Sequence, residues 1–371
     1  MNGRIPILLL VRELSQGGCE RDVTKLALGL KQSRFAPHVG CFRPYGVRRE
    51  ELDGGSVPVV EFPVTSFASM SMVRGGLALG GYVRAHGIRL VHAFDVPMSV
   101  FTAPWARMFR VESVITSQLS YRSLTKSSMH RMLRWSDRFA DRIVVNCRAM
   151  WRHMVEDEGV PERKLFLSYN GVDTAVFDDG NRIRPAELSG ASLVIGTVSA
   201  LRAEKDLPVL LEAFARIFPL QPGMKLVLVG SGAELPVLEA MAVRLGIAGH
   251  VMFQPTCRDV ARWLRGIDIF VLPSRSEAFS NALLEAMASG CCPVGSRVGG
   301  TPELIEEGSR GLLFKAGDSN GLAMQLARLI EDPDLRERYG RAAALHARNE
   351  WPMERAVERM SAFYAECLRE S

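Results

Sequence analysis

The chain has 371 residues, 47% of them hydrophobic and 23% charged, with a mean hydropathy near zero. Such a composition excludes a disordered, collagen-like or fibrous protein, and the length favours two domains over one. The net charge of +5 is unevenly spread: residues 1–182 hold 25 Lys+Arg against 18 Asp+Glu, and residues 183–371 hold 21 against 23.

From the N-terminus, the apolar run Ile5 to Val11 is stopped by Arg12 and Glu13, far short of the ~20 residues that span a bilayer, so neither a signal peptide nor a transmembrane helix is expected. Further runs read as strands at His38 to Phe42, Val57 to Phe62, Leu90 to His92, Val114 to Thr116, Ile143 to Asn146 and Leu165 to Leu167. A polar stretch rich in Gly, Pro, Asp and Ser, Asp178 to Ser192, is the candidate linker. Beyond it, strands are expected at Leu193 to Ser199, Lys225 to Val229, Val251 to Phe253, Ile267 to Leu272 and Cys292 to Val294. Two long helical patterns follow, Pro333 to Asn349 and Pro352 to Arg369. Strands alternating with helical periodicity define an α/β protein built on parallel sheets. Two such domains, 1–182 and 183–352, with a C-terminal helix at about 353–371 packing back on the first, would make a cleft if their strand ends faced each other.

Seven cysteines, odd in number and scattered, show no C-x-x-C pair and no His cluster at zinc spacing, so free thiols in a reducing cytoplasm are expected. Gly17 and Gly18 precede the amphipathic run Val23, Leu26, Ala27, Leu30; paired glycines there suit an anion at a helix N-terminus or a tight strand-to-helix turn. Gly230 and Gly232 also follow a strand, but Leu235 stands where a G-x-G-x-x-G motif needs its third glycine, which disfavours a nicotinamide dehydrogenase. The richest segment is IFVLPSRSEAFSNALLEAMASGCCPVGSRVGGTPELI, where a strand leads through a polar loop to a helix beginning near Ser280. Ser280 as N-cap would direct the amides of Asn281, Ala282 and Leu283 toward a phosphate. Glu277 in the loop and Glu285 in the helix could flank that ligand and accept hydroxyl hydrogen bonds from ribose or a pyranose.

That segment resembles the E-x7-E signature of the retaining glycosyltransferases of family four, and the resemblance covers nearly the whole chain. It is carried by QGGCERDVTKLALGL, YNGVDTAVF, VSALRAEKDLPVLLEAFA, SEAFSNALLEAMASGCCPV and VGGTPELI, in that order. It implies the GT-B fold, two Rossmann-like domains with parallel sheets facing across a cleft. It implies that Glu285 binds the ribose of a nucleotide-sugar, that Glu277 contacts the transferred sugar, and that the backbone at Phe279, Ser280, Asn281 and Ala282 lies near sugar and diphosphate, with Gly17 and Gly18 on the donor side as well. Lys205 matches the lysine that neutralises the diphosphate. No metal and no cofactor are expected beyond the nucleoside diphosphate sugar itself.

Two positions depart from the family pattern. Ala200 stands where many members carry Arg, and Arg202 is the expected substitute. Gln118 stands on the acceptor side where many members place a His; it can hydrogen-bond a sugar hydroxyl but cannot take a proton. Residues 102–152 hold ten cations against three acids, and a helical pattern from Lys126 to Arg142 within them sets Arg131, Arg134, Arg138 and Arg142 on one face. That face is either solvated or attracted to an anionic membrane surface or lipid-phosphate acceptor; no nucleic-acid module is present. The expected function is transfer of a sugar to a carbohydrate or lipid-linked hydroxyl acceptor, with retention, in lipopolysaccharide, exopolysaccharide or glycolipid assembly. The expected location is the cytoplasm or the inner face of the membrane. The alternatives are a catalytically silent sugar-nucleotide-binding protein and a GT-B sugar-nucleotide epimerase.

Overall fold

The computed structural model describes residues 3–178, 180 and 182–369. The chain divides into two compact units, the first comprising Met1–Gly171 and Met353–Ser371 and the second Val172–Pro352. The division falls ahead of the expected 182/183 boundary because Val172, Val176 and Arg182 are bonded into the second unit. Val172 bridges Pro352, the Val176 carbonyl accepts from Arg265, and Arg182 donates to the carbonyls of Gly290 and Ile267. Of the expected linker, Asp179 and Asn181 lie outside the described residues, as do Met1, Asn2, Glu370 and Ser371 at the ends.

In the first unit the strands are β1 (Ile5–Leu10), β2 (Phe35–Cys41), β3 (Val59–Glu61), β4 (Leu90–Ala93), β5 (Ser113–Gln118), β6 (Arg142–Val145) and β7 (Leu165–Leu167). They pair in parallel in the order β3-β2-β1-β4-β5-β6-β7. Successive residues of a strand face opposite sides. Accordingly Ile7 and Leu9 join a core cluster with Phe363 and Tyr364 of the C-terminal helix Met353–Cys367, while Leu8 and Leu10 join another with Leu79 and Phe101. Burial on both faces accounts for the continuous apolar run ILLLV at the first strand.

The second unit holds β8 (Val194–Val198), β9 (Lys225–Val229), β10 (Val251–Gln254), β11 (Ile269–Leu272), β12 (Cys292–Ser296) and β13 (Leu312–Phe314), paired in parallel in the order β10-β9-β8-β11-β12-β13. β13 has no counterpart among the expected strands. A large core cluster covers one face of this sheet, with Leu226 and Leu228 packed among Leu210, Phe214 and Leu326, and Val227, Val229 and Phe270, which alternate with its members along the strands, are buried as well. Among the described residues, no helix is long and apolar enough to cross a membrane.

The helix expected from Lys126 to Arg142 is shorter than its pattern: it runs Ser127–Ser136, and Arg142 opens β6. Tertiary contacts end it. Lys164 Nζ donates to the carbonyls of Asp137 and Ala140, at 2.9 and 2.8 Å, and the Asp141 amide donates to Val114 O of β5. The four arginines therefore do not share one helical face. Arg131 and Arg134 lie on the helix, Arg138 in the turn after it and Arg142 on a strand.

Candidate active site

In an open parallel sheet, ligands gather outside the carboxyl ends of the strands where the strand order reverses. In the second unit that place lies between β8 and β11. The loop leaving β8 carries Ala200, Arg202, Lys205 and Asp206; the loop leaving β11 carries Ser274, Arg275 and Glu277 before the helix Asn281–Ala288. Lys205 Nζ donates to Glu277 Oε2 at 2.6 Å, and Ser274 Oγ reaches the same oxygen at 3.2 Å. Two residues far apart in sequence are thus joined at the sheet's reversal point, both largely withdrawn from solvent.

Backbone packing sets the Glu277 loop. Gly299 adopts φ +51°, and a Cβ there would stand 1.6 Å from the Glu277 carbonyl oxygen, so only glycine allows this approach. The neighbouring Gly300 amide donates to Ala278 O at 2.6 Å. The glycine pair of VGGTPELI therefore fixes the position of Glu277. Gly230 plays a similar part after β9, where a Cβ would lie 1.8 Å from Ser199 O. The Gly-x-Gly after that strand thus serves close contact between neighbouring loops.

Ser280 caps the helix, its Oγ accepting from the Leu283 amide at 3.3 Å. That amide is committed to the cap and is not offered to a ligand, in contrast to the expectation that all three first amides point outward. Glu285 lies within this helix at 5% exposure. Phe279 is also buried, its ring edge-on to Trp351 at 6.0 Å. Arg202 is exposed, and its nearest acid is Glu204 at 4.0 Å. Arg275, Asp206, Ser274 and Gly299 are site residues that the sequence reading missed. Only the doubled glycine left a signal there.

The first unit reverses its strand order between β1 and β4. Asp95 sits there, accepting from the Arg12 amide and, at 2.9 Å, from Met98 N at the start of a helix. Gly17 and Gly18 begin the helix Gly18–Leu30 in this unit, where the Glu20 carboxylate already stands against Gly17. Gln118 ends β5 with its side chain buried and engaged: Oε1 accepts from Arg122 Nε at 2.9 Å and Nε2 donates to Ser120 O. Arg122, itself buried, pairs with Asp137 at 2.8 Å and Glu158 at 3.3 Å. Burial works to raise the Glu158 carboxyl, but hydrogen bonds from His130 and Arg134 and the Arg122 charge hold it below its usual value. A cavity of about 60 Å³ opens at the ends of β4 to β7, edged by Asp22, Ser117 and Ser168 and walled by Leu119, Met353 and Met360.

Known sequences and structures match this arrangement. The pattern of the "Glycosyltransferase Family 4" proteins matches residues 16–176, and that of "Glycosyl transferases group 1" matches residues 181–346. Among curated proteins, the chain is 31% identical to N-acetyl-alpha-D-glucosaminyl L-malate synthase of Bacillus anthracis over 57% of this chain and 56% of that one. It is likewise 31% identical to D-inositol 3-phosphate glycosyltransferase of Thermobifida fusca over 62% of this chain and 56% of that one. The matches thus span little more than half the length of these relatives. Among solved structures, Anabaena HepE in complex with UDP-glucose superposes with a TM-score of 0.86 at 21% identity, covering 98% of this chain and 100% of that one. A glycosyltransferase from Rickettsia africae superposes at 0.84 with 19% identity, over 100% of each chain. Two parallel-sheet α/β domains with these neighbours define the GT-B class of fold. The chain belongs to the glycosyltransferases of family four.

Proposed function

We propose that the protein transfers a sugar from a nucleoside diphosphate donor to a hydroxyl acceptor, with retention of configuration, in envelope polysaccharide or glycolipid assembly. The observation that carries this reading is the Lys205–Glu277 pair at the β8/β11 reversal, beside a capped helix N-terminus that bears Glu285. The two charges satisfy each other at 2.6 Å. A sugar diphosphate offers each a better partner: hydroxyls for the carboxylate and phosphate oxygens for the ammonium. Breaking the bond to the anomeric carbon places negative charge on the diphosphate, and a cation and helix end fixed beforehand stabilise that charge without a resident metal. Glu285 would accept the two ribose hydroxyls. Gln118 takes no proton, and on this reading the departing phosphate assists the incoming hydroxyl, as the family resemblance implies.

The acceptor falls to the first unit, whose cavity at the strand ends holds the volume of on the order of four or five waters, enough for a small hydroxylated fragment. The relatives named for L-malate and inositol 3-phosphate make a small anionic alcohol the first acceptor to try, and HepE makes UDP-glucose the first donor. Thermal shifts with UDP, GDP, ADP and their sugars test the donor site, since a ligand at 100 times its Kd stabilises the fold by about 2.7 kcal/mol. Binding without hydrolysis or transfer would favour the silent binding protein, and conversion of the sugar without transfer would favour the epimerase. A second reading is a peripheral membrane contact. It is favoured by exposed Trp135 (47%) and Leu124 (53%) close in sequence to exposed Arg131 and Arg138.

A further inference from the structure

We propose that Arg275, rather than Arg202, is the second cation that grips the donor's diphosphate. The assignment rests on the donor-site reading above and deepens it. Two hydrogen bonds and one ion pair tie the loop after β8 to the loop after β11. Lys205 Nζ meets Glu277 at 2.6 Å, Arg275 Nε meets Asp206 Oδ2 at 2.8 Å, and the Arg275 amide donates to Glu204 O at 2.9 Å. Arg275 is therefore bonded to both sequence neighbours of Lys205, while Lys205 is bonded to a residue two places beyond Arg275. The two cations stand on either side of one crossing.

The guanidinium is anchored by one nitrogen and offers the rest. Its Nε lies 2.8 Å from Asp206 Oδ2 as an ion pair, and among the described residues neither Nη has a partner; the side chain is 67% exposed. A guanidinium carries five N–H donors in a rigid fork that suits two phosphate oxygens at once. Asp206 pays conformationally for this anchorage. Its backbone is left-handed, φ +48° and ψ 40°, a state that glycine adopts most readily and that Asp and Asn tolerate better than other residues. A glycine would relieve the strain there but would lack the carboxylate, which is buried at 4% exposure against Arg275. Arg202 is as exposed, at 69%, but its nearest acid stands 4.0 Å away rather than 2.8 Å. It would have to be immobilised by the ligand, losing side-chain entropy that Arg275 has already given up.

The test is a calorimetric comparison of matched nucleoside mono- and diphosphates, with the base chosen by the thermal-shift panel. It covers wild type, Arg275→Gln, Arg275→Lys, Arg202→Gln and Asp206→Gly. The proposal expects Arg275→Gln to weaken the diphosphate by roughly tenfold to a hundredfold while leaving the monophosphate nearly unchanged. Arg275→Lys should recover part of the loss. Arg202→Gln should leave the diphosphate preference intact. Asp206→Gly, which suits the left-handed backbone and should fold, is expected to erode the preference in the same direction. An unchanged preference in Arg275→Gln, or an equal loss for both nucleotides, overturns the assignment, as does a collapse confined to Arg202→Gln. A wild type that binds no nucleoside diphosphate overturns the donor-site reading itself, and this assignment with it.

Discussion

The two units share a plan and differ in what their loops carry. Each is a parallel sheet whose strand order reverses once, at β1/β4 in the first and β8/β11 in the second. At the second reversal, two cations and two carboxylates cross-tie the loops through Lys205–Glu277 and Arg275–Asp206. At the first, the carboxylate of Asp95 is held by two backbone amides, and enclosure pushes its pKa up to about 6 against those bonds. A second carboxylate, Glu20, stands at the helix end beside it. At the second reversal the cations reach from one loop to the other, whereas at the first Arg12 pairs with its own sequence neighbour Glu13 at 2.9 Å. The same topology thus carries two different sets of charged groups, and the loops rather than the sheets set the difference.

The largest test of this asymmetry is Lys205→Ala, for which kcat/KM should fall by on the order of 10² or more, because the charge it stabilises grows in the transition state. Steady-state kinetics on the folded variant measure it. An equal loss from Arg12→Ala, at the other reversal, would break the comparison. Next, Glu285→Ala should weaken nucleoside diphosphate binding by roughly 1.5 to 3 kcal/mol, the value of hydrogen bonds to a charged acceptor. Calorimetry showing the affinity of wild type would remove Glu285 from the ribose.

Acid should act on the first unit. His92 is fully buried, with Nδ1 2.6 Å from Tyr364 Oη and Nε2 2.7 Å from Ser117 Oγ, and burial pushes its pKa from 6.5 down to about 3. The folded state therefore binds fewer protons than the unfolded chain between those values, and stability is lost as pH falls below 6.5. The loss reaches about 2 kcal/mol by pH 5. His92→Gln gives up good hydrogen bonds at pH 8 but has no proton to refuse, so its deficit against wild type should shrink steadily toward pH 5. Urea denaturation at several pH values follows this, and a constant deficit would show that His92 is not the acid-sensitive group.

Much of this was legible in the sequence, and the rest failed for physical reasons. The strand Lys225–Val229 is readable because a strand buried on both faces writes itself as an unbroken apolar run. Glu277, Ser280 and Glu285 are readable because one loop and one helix carry them within nine residues of each other. The stop of the helix Ser127–Ser136 is not, because no Gly or Pro marks it; Lys164 supplies it from a distant strand entry. The Arg275–Asp206 pair is equally silent, since charged loop residues reveal their partners only once the sheet order is known. Asp206 gave no sign that it would hold a left-handed backbone.

The smallest effect separates the arginines themselves. Arg134 donates to Glu158 at 2.9 Å and to the Asp157 carbonyl at 3.1 Å, so its charge is engaged within the first unit. Arg142 donates to the Arg163 carbonyl at 3.1 Å and lies 3.7 Å from Glu366. Arg131 and Arg138 are exposed, and so are Trp135 and Leu124. A membrane contact would draw on the exposed pair, each cation contributing about 1 kcal/mol near an anionic bilayer and less as salt shortens the Debye length. In co-sedimentation with vesicles containing anionic lipid, Arg131→Gln with Arg138→Gln should therefore release the protein at low salt, as high salt should release wild type. Arg134→Gln should leave vesicle binding in place and instead lower stability, because it strips a partner from the buried Glu158 carboxylate. If Arg134→Gln releases the protein as completely as the double variant, the charge is being read from the whole segment, and the division between engaged and exposed arginines does not govern docking.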